Sequence, residues 1–148
     1  MKPVTFWVTL LVLCATVEVL YADDWPEWRG AGRRGILTET GLVDRFPADG
    51  LAVAWRTAIH SGYSGPAVAD GRVFVTDATR PDLAKTAVVE RVLALDELTG
   101  EVLWTHEWAT DYAGLQLVYA IGPRATPTVD GDLVYVLGAM GNLVALDV

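Results

Sequence analysis

ALDELTGEVLW, Ala94 to Trp104, is the stretch from which the fold can be read. At its centre Thr99-Gly100 supplies a tight turn, because Gly takes positive φ without steric cost. RVLALD (Arg91–Asp96) runs into that turn and EVLWTHEW (Glu101–Trp108) runs out of it. Both alternate with the period of two expected of half-buried strands. Asp96 and Glu97 offer two readings, as paired catalytic carboxylates or as turn caps. Beside Thr99-Gly100 the capping reading is preferred, since an Asp side chain readily accepts from the backbone two residues on.

Working outward, the pattern recurs. NLVALD (Asn142–Asp147) repeats RVLALD, and PTVDGDLVYV (Pro127–Val136) repeats PAVADGRVFV (Pro66–Val75) without a gap. Each ten-residue copy carries Asp-Gly between apolar alternations, which predicts a hairpin with a type I′ turn. LAVAWRTAI (Leu51–Ile59) resembles the fourth strand, with Trp55 standing where the copy has Trp104, roughly 50 residues later. The repeating unit is four short antiparallel strands ending in a Trp strand. Units of this kind and period predict an all-β chain of β-propeller blades. One blade cannot bury both its faces, so Trp55 and Trp104 are expected to pack between neighbours. TRPDLAKTAVVE (Thr79–Glu90) is expected as an insertion between the second and third strands, decorating the rim.

The chain has 148 residues, 52% hydrophobic and 20% charged, with 14 Gly and 7 Pro, a composition suited to one β-rich domain with many turns. A net charge of −8 argues against a nucleic-acid partner, and Arg29, Arg33 and Arg34 are the only close basic trio. Lys2 precedes an apolar run from Val4 to Val17, shorter than the ~18–20 residues a membrane span requires. This predicts a signal peptide over residues 1–22, cleaved after Ala22, and a mature chain without a transmembrane segment, exported to the periplasm or the extracellular space. A retained membrane anchor is the other reading of this run. Cys14 is the only cysteine. Leu13 beside it stands where a lipoprotein box has a small residue, which argues against lipid anchoring. The mature chain then has no disulfide, and packing must hold it together.

Ala94, Asp96, Thr99, Gly100 and Trp104 fall in register with the tryptophan-docking repeat of quinoprotein-type propellers, Ala-x-Asp-x-x-Thr-Gly-x-x-x-Trp. The opening DWPEWRGAGRRG, through Trp25, Trp28, Arg29, Gly30 and Gly35, is similar to the start of secreted bacterial PQQ-binding-like β-propeller proteins. The architecture also resembles that of the lipoprotein that assists outer-membrane barrel assembly. The resemblance covers residues ~25–148, with Glu101 where the family often has Lys. It implies that Asp96, Thr99 and Gly100 tie the turn and that the Trp residues wedge against adjacent blades. It divides the chain into a lead-in loop over 23–50 and a partial propeller over 51–148. Within the propeller, 51–59 is a closing strand, 64–108 a blade and 124–148 an incomplete blade. A ring of eight such blades needs roughly 390 residues at this spacing. The expectation is therefore an N-terminal fragment whose partners include the remaining blades, with open edges prone to aggregation.

Two functions follow from the resemblance: a binding or scaffold module for a protein or small-molecule ligand, or part of a PQQ-dependent alcohol or sugar dehydrogenase with Ca²⁺. The enzyme reading finds little support in the residues themselves. The adjacent cysteines frequent in the alcohol-oxidising branch are missing, and no metal ligand can be assigned. There is no Gly-x-Ser-x-Gly elbow, phosphate loop or His-Glu-x-x-His. His60 and His106 read as strand or strand-end residues. In propellers the loops entering each first strand form one mouth of the axis. Here those loops are His60–Gly65 and Ala109–Thr126, the second long and carrying Tyr112, Tyr119 and Arg124. Tyr63, Ser64 and Arg124 are the candidate ligand-facing residues, Arg124 being suited to carboxylate or phosphate groups. The alternative is that the long loop merely caps the axial face.

Overall fold

The computed structural model describes residues 22–82, 84–115 and 121–148. Nearly all of the expected signal peptide, with Cys14, and Tyr119 of the long loop lie outside the described residues. The described chain is all-β apart from a 3₁₀ turn at Ala31–Arg33. β1 (Ala67–Ala69), β2 (Arg72–Thr79), β3 (Ala87–Asp96) and β4 (Val102–Asp111) form one antiparallel sheet in chain order. β5 (Thr128–Asp130), β6 (Leu133–Leu137) and β7 (Leu143–Asp147) form a second. Two blades of a β-propeller are thus present, one with four strands and one with three.

The blades match position for position. Glu97 N donates to Gly71 O at the corner of the first, and Val148 N donates to Asp132 O at the corner of the second. The hairpin turns differ in kind, however. Asp70 and Gly71 both take positive φ, 51° and 70°, as a type I′ turn requires. In the second blade Asp130 still belongs to β5, and the turn is Gly131-Asp132 with positive φ at Gly131 only. That is the arrangement of type II′, not the Asp-Gly type I′ turn expected from the sequence. The gapless register across the two blades forces the shift by one residue.

Alternation along the strands sorts the core. Phe74, Val92 and Ala94 on one face of the first blade meet Val134 and Val136 of the second, with Trp104 and Trp108 packed against them. Val75, Leu93 and Leu95 on the opposite face lie under Trp55. Leu51–Ile59, expected as a closing strand, forms no ladder. The blade that such a strand was expected to complete is not among the described strands. Side chains anchor the segment instead.

Two further expectations change. Part of the presumed rim insertion is ladder: β2 runs through Thr79 and β3 begins at Ala87, so the connection itself is 80–86. The lead-in over 23–50 is not loop throughout either. Trp25 makes an antiparallel bridge to Val68 on β1, and Pro26 O accepts from Val129 N on β5.

Candidate functional site

The Thr-Gly turn is built as its residue types dictate. Asp96 Oδ1 accepts from Leu98 N at 3.0 Å, Thr99 N at 2.8 Å and the Thr99 hydroxyl at 2.9 Å. The Thr99 amide, then its hydroxyl, hold the Asp96 carboxyl below its ordinary range. With its lone pairs committed to the turn, Asp96 acts as a cap. Trp55 Nε1 donates to Glu97 O at 2.8 Å and Thr57 Oγ1 to Gly100 O at 2.5 Å. Gly100, at φ 72°, lies so close beneath the indole that a Cβ there would meet the Trp55 ring at 2.4 Å. Trp55 is therefore docked on the turn, while Trp104 pairs with Ala94 and sits 5.9 Å from the Phe74 ring.

The connections β2–β3 and β4–β5 emerge at the end of the sheets opposite the hairpin turns, together with the segment entering β1. At this mouth Ser61 O accepts from Ala78 N, so the inner strand continues irregularly beyond β1 along β2. Across that irregular stretch the Ser64 hydroxyl meets Thr76 Oγ1 at 2.7 Å and Thr76 O at 3.2 Å, in place of backbone ladder bonds. Ser64 is thus a structural bridge. Tyr63 N donates to Pro123 O at 2.9 Å, joining the two mouth loops. They approach so closely at Gly122, φ 122°, that a Cβ would strike Ser61 O. Above this joint the exposed Arg124 guanidinium lies 5.4 Å from the centre of the Tyr63 ring. The same two loops border an open groove of about 530 Å³ through His60, Ser61 and Ile121, with Arg80 also in its lining.

Two buried carboxylates support the mouth, and sequence reasoning singled out neither. Asp77, fully buried, takes Arg91 in a fork, Nε to Oδ1 at 2.6 Å and Nη2 to Oδ2 at 2.9 Å, and also accepts from His60 N at 2.6 Å. Glu90, also fully buried, accepts from Trp108 Nε1 at 2.8 Å, the Tyr112 hydroxyl at 2.5 Å and, from the second blade, Ala139 N at 2.9 Å. Burial first, and then the Glu90 hydrogen bond and charge, push the Tyr112 phenol well above its ordinary value, with Arg124 acting in the opposite sense. The available cue was the charged pair Glu90-Arg91 inside the otherwise apolar run Val88–Leu95. Of the long-loop residues proposed for the ligand face, Tyr112 is buried in this network and Arg124 is exposed.

No three His, Cys, Asp or Glu side chains among the described residues gather to hold a metal ion. The inner edges of both blades, where β1 and β5 converge, carry the backbone of Trp25 and Pro26.

Fold and repeat together define a PQQ-repeat β-propeller. The chain belongs to the family whose model is described as outer membrane protein assembly factor BamB, matched over residues 36–148. No curated protein and no solved structure matches it. Among the described residues no helix is long and apolar enough to cross a membrane.

Proposed function

We propose that the chain is part of an exported propeller that serves as a binding scaffold and meets its ligand at the mouth face. The observation that carries this reading is the exposed guanidinium of Arg124 held over the Tyr63 ring, on two loops locked together by the Tyr63–Pro123 backbone bond. A planar cation fixed above an aromatic face, on loops that also border an open groove, suits a ligand that combines a flat apolar part with a carboxylate or phosphate. Export rests on the pattern of residues 1–22, and the assembly-factor description of the family favours a scaffold over catalysis. Further blades of the ring would stack on the uncovered face of β6 and β7.

Titration of the full-length protein with citrate and with inorganic phosphate, followed by its tryptophan and tyrosine fluorescence, tests the reading. A saturable change that is lost in Arg124→Ala supports it, and an identical response in that variant removes the mouth from consideration. Reduction of an electron-accepting dye by the protein with PQQ, Ca²⁺ and an alcohol or sugar would replace the scaffold reading with the dehydrogenase one.

A further inference from the structure

The two sheets converge at β1 and β5, which identifies those strands as the axis-facing edges of their blades. An inner edge strand has every second N–H and C=O pointing towards the axis. On β1 those groups belong to Val68, whose N–H donates to Trp25 O at 3.0 Å and whose C=O accepts from Trp25 N at 2.8 Å. The equivalent residue of the second blade is Val129, and its N–H donates to Pro26 O at 2.8 Å. Successive residues of an extended segment present their polar groups to opposite sides. Trp25 can therefore serve one blade while Pro26, its neighbour, serves the other. Proline suits the second position, because it brings an acceptor and no donor that would need a partner.

The arm that delivers this dipeptide is clamped from its other end. Glu27 accepts from Gly32 N at 3.0 Å and pairs with Arg33 Nε at 2.7 Å, while Gly35 N closes onto Arg29 O at 2.7 Å. The resulting loop carries Gly30 against Trp25, with no room for a side chain: a Cβ at Gly30 would meet the indole at 2.8 Å, at a φ of 71°. The clamp fixes Trp25 and Trp25 fixes the register.

We propose that the N-terminal arm closes the propeller axis: Trp25–Pro26 is an inserted inner segment that pairs with the same position of both blades. It staples the blades together and denies the axis beside them to any other ligand. The axial edge is then a groove for an extended backbone segment that the chain fills with its own residues. Ligands reach the protein at the mouth and rim, not along the axis.

Amide hydrogen exchange on the full-length protein reads this directly. The Val68 and Val129 amides, which point away from their own sheets, should exchange roughly a hundredfold more slowly than an exposed loop amide such as Gly114. In Gly30→Val both should speed up together by roughly tenfold or more, while Phe74 and Tyr135, inside the ladders, stay slow. Adding the peptide ADDWPEWRGAGRRGI to that variant should restore protection at both sites, and the same peptide with alanine for its first tryptophan should not. Should Gly30→Val release every amide at once, Trp25→Ala becomes the deciding variant, and it must release the same two amides selectively. Fast exchange of Val68 and Val129 in the unaltered protein overturns the proposal. So does unchanged protection in Trp25→Ala and Gly30→Val alike.

Discussion

Phe74 in the first blade and Tyr135 in the second occupy equivalent places in the repeat, yet Phe74 is wholly buried while Tyr135 is 37% exposed. Val92 and Leu143 form a second such pair, at 0% and 69%. The sequence pattern is the same in both blades. What differs is the neighbour, since the first blade has the second on one face and Trp55 on the other. The second blade buries Val134 and Val136 against the first, and its opposite face carries Tyr135, Leu137 and Leu143 in the open. Repeat identity sets which residues point where, and stacking alone decides whether that orientation is worth anything energetically.

This difference has a direct test. Phe74→Ala should destabilise the protein by about 3–5 kcal/mol, the range for removing a buried aromatic ring, and Tyr135→Ala by about 1 kcal/mol or less. Urea unfolding of both variants gives the comparison. Equal losses would break it, and would mean that in solution the face of β6 and β7 is covered.

The parts of this molecule legible from sequence are those whose partners are close in the chain. Asp96, Thr99 and Gly100 complete their turn within five residues, so residue types alone specify it. Pairing of β1 with β2 and of β3 with β4 follows from short turns in the same way. Leu51–Ile59 alternates as a strand does, but alternation reports only which face is apolar and does not name the edge it pairs with, and the blade it was expected to complete is not among the described strands. The Glu90 cluster was invisible for another reason. Trp108 is its cross-strand partner on β4, but Tyr112 and Ala139 stand 22 and 49 residues away, and only the stacked second blade brings in Ala139. Arg124 and Tyr63 were nominated separately from loop topology, and their contact emerges only once Gly122 lets the loops touch.

Glu90 sharpens the comparison further, because it is the polar tie between the unequal blades. Glu90→Ala would leave a buried phenol, an indole N–H and the Ala139 amide without their acceptor, at a cost of about 3 kcal/mol. Glu90→Gln keeps an acceptor and should cost roughly half as much. Exchange protection at Ala139 should fall in the alanine variant. If Glu90→Ala lowers the urea midpoint no more than an exposed substitution does, the tie contributes nothing and apolar packing alone joins the blades.

The smallest effect expected is electrostatic and belongs to the closed turn of the first blade. The Thr99 amide and hydroxyl depress the folded-state pKa of Asp96, so the carboxylate form is favoured by folding. For a depressed carboxyl the stabilising contribution is fully present above the unfolded value, about 3.9, and is lost as pH falls through the lower folded value. Asp96→Asn preserves an acceptor oxygen but cannot titrate. The melting temperature of the unaltered protein should therefore fall more steeply than that of the variant between about pH 4 and pH 2. The two proteins should run parallel above about pH 5, where Asp96 is ionised whether the chain is folded or not. Because the carboxyl is exposed, added salt should narrow the difference. Parallel curves down to pH 2 would show that the turn gains nothing from the charge of Asp96 and uses only its oxygen.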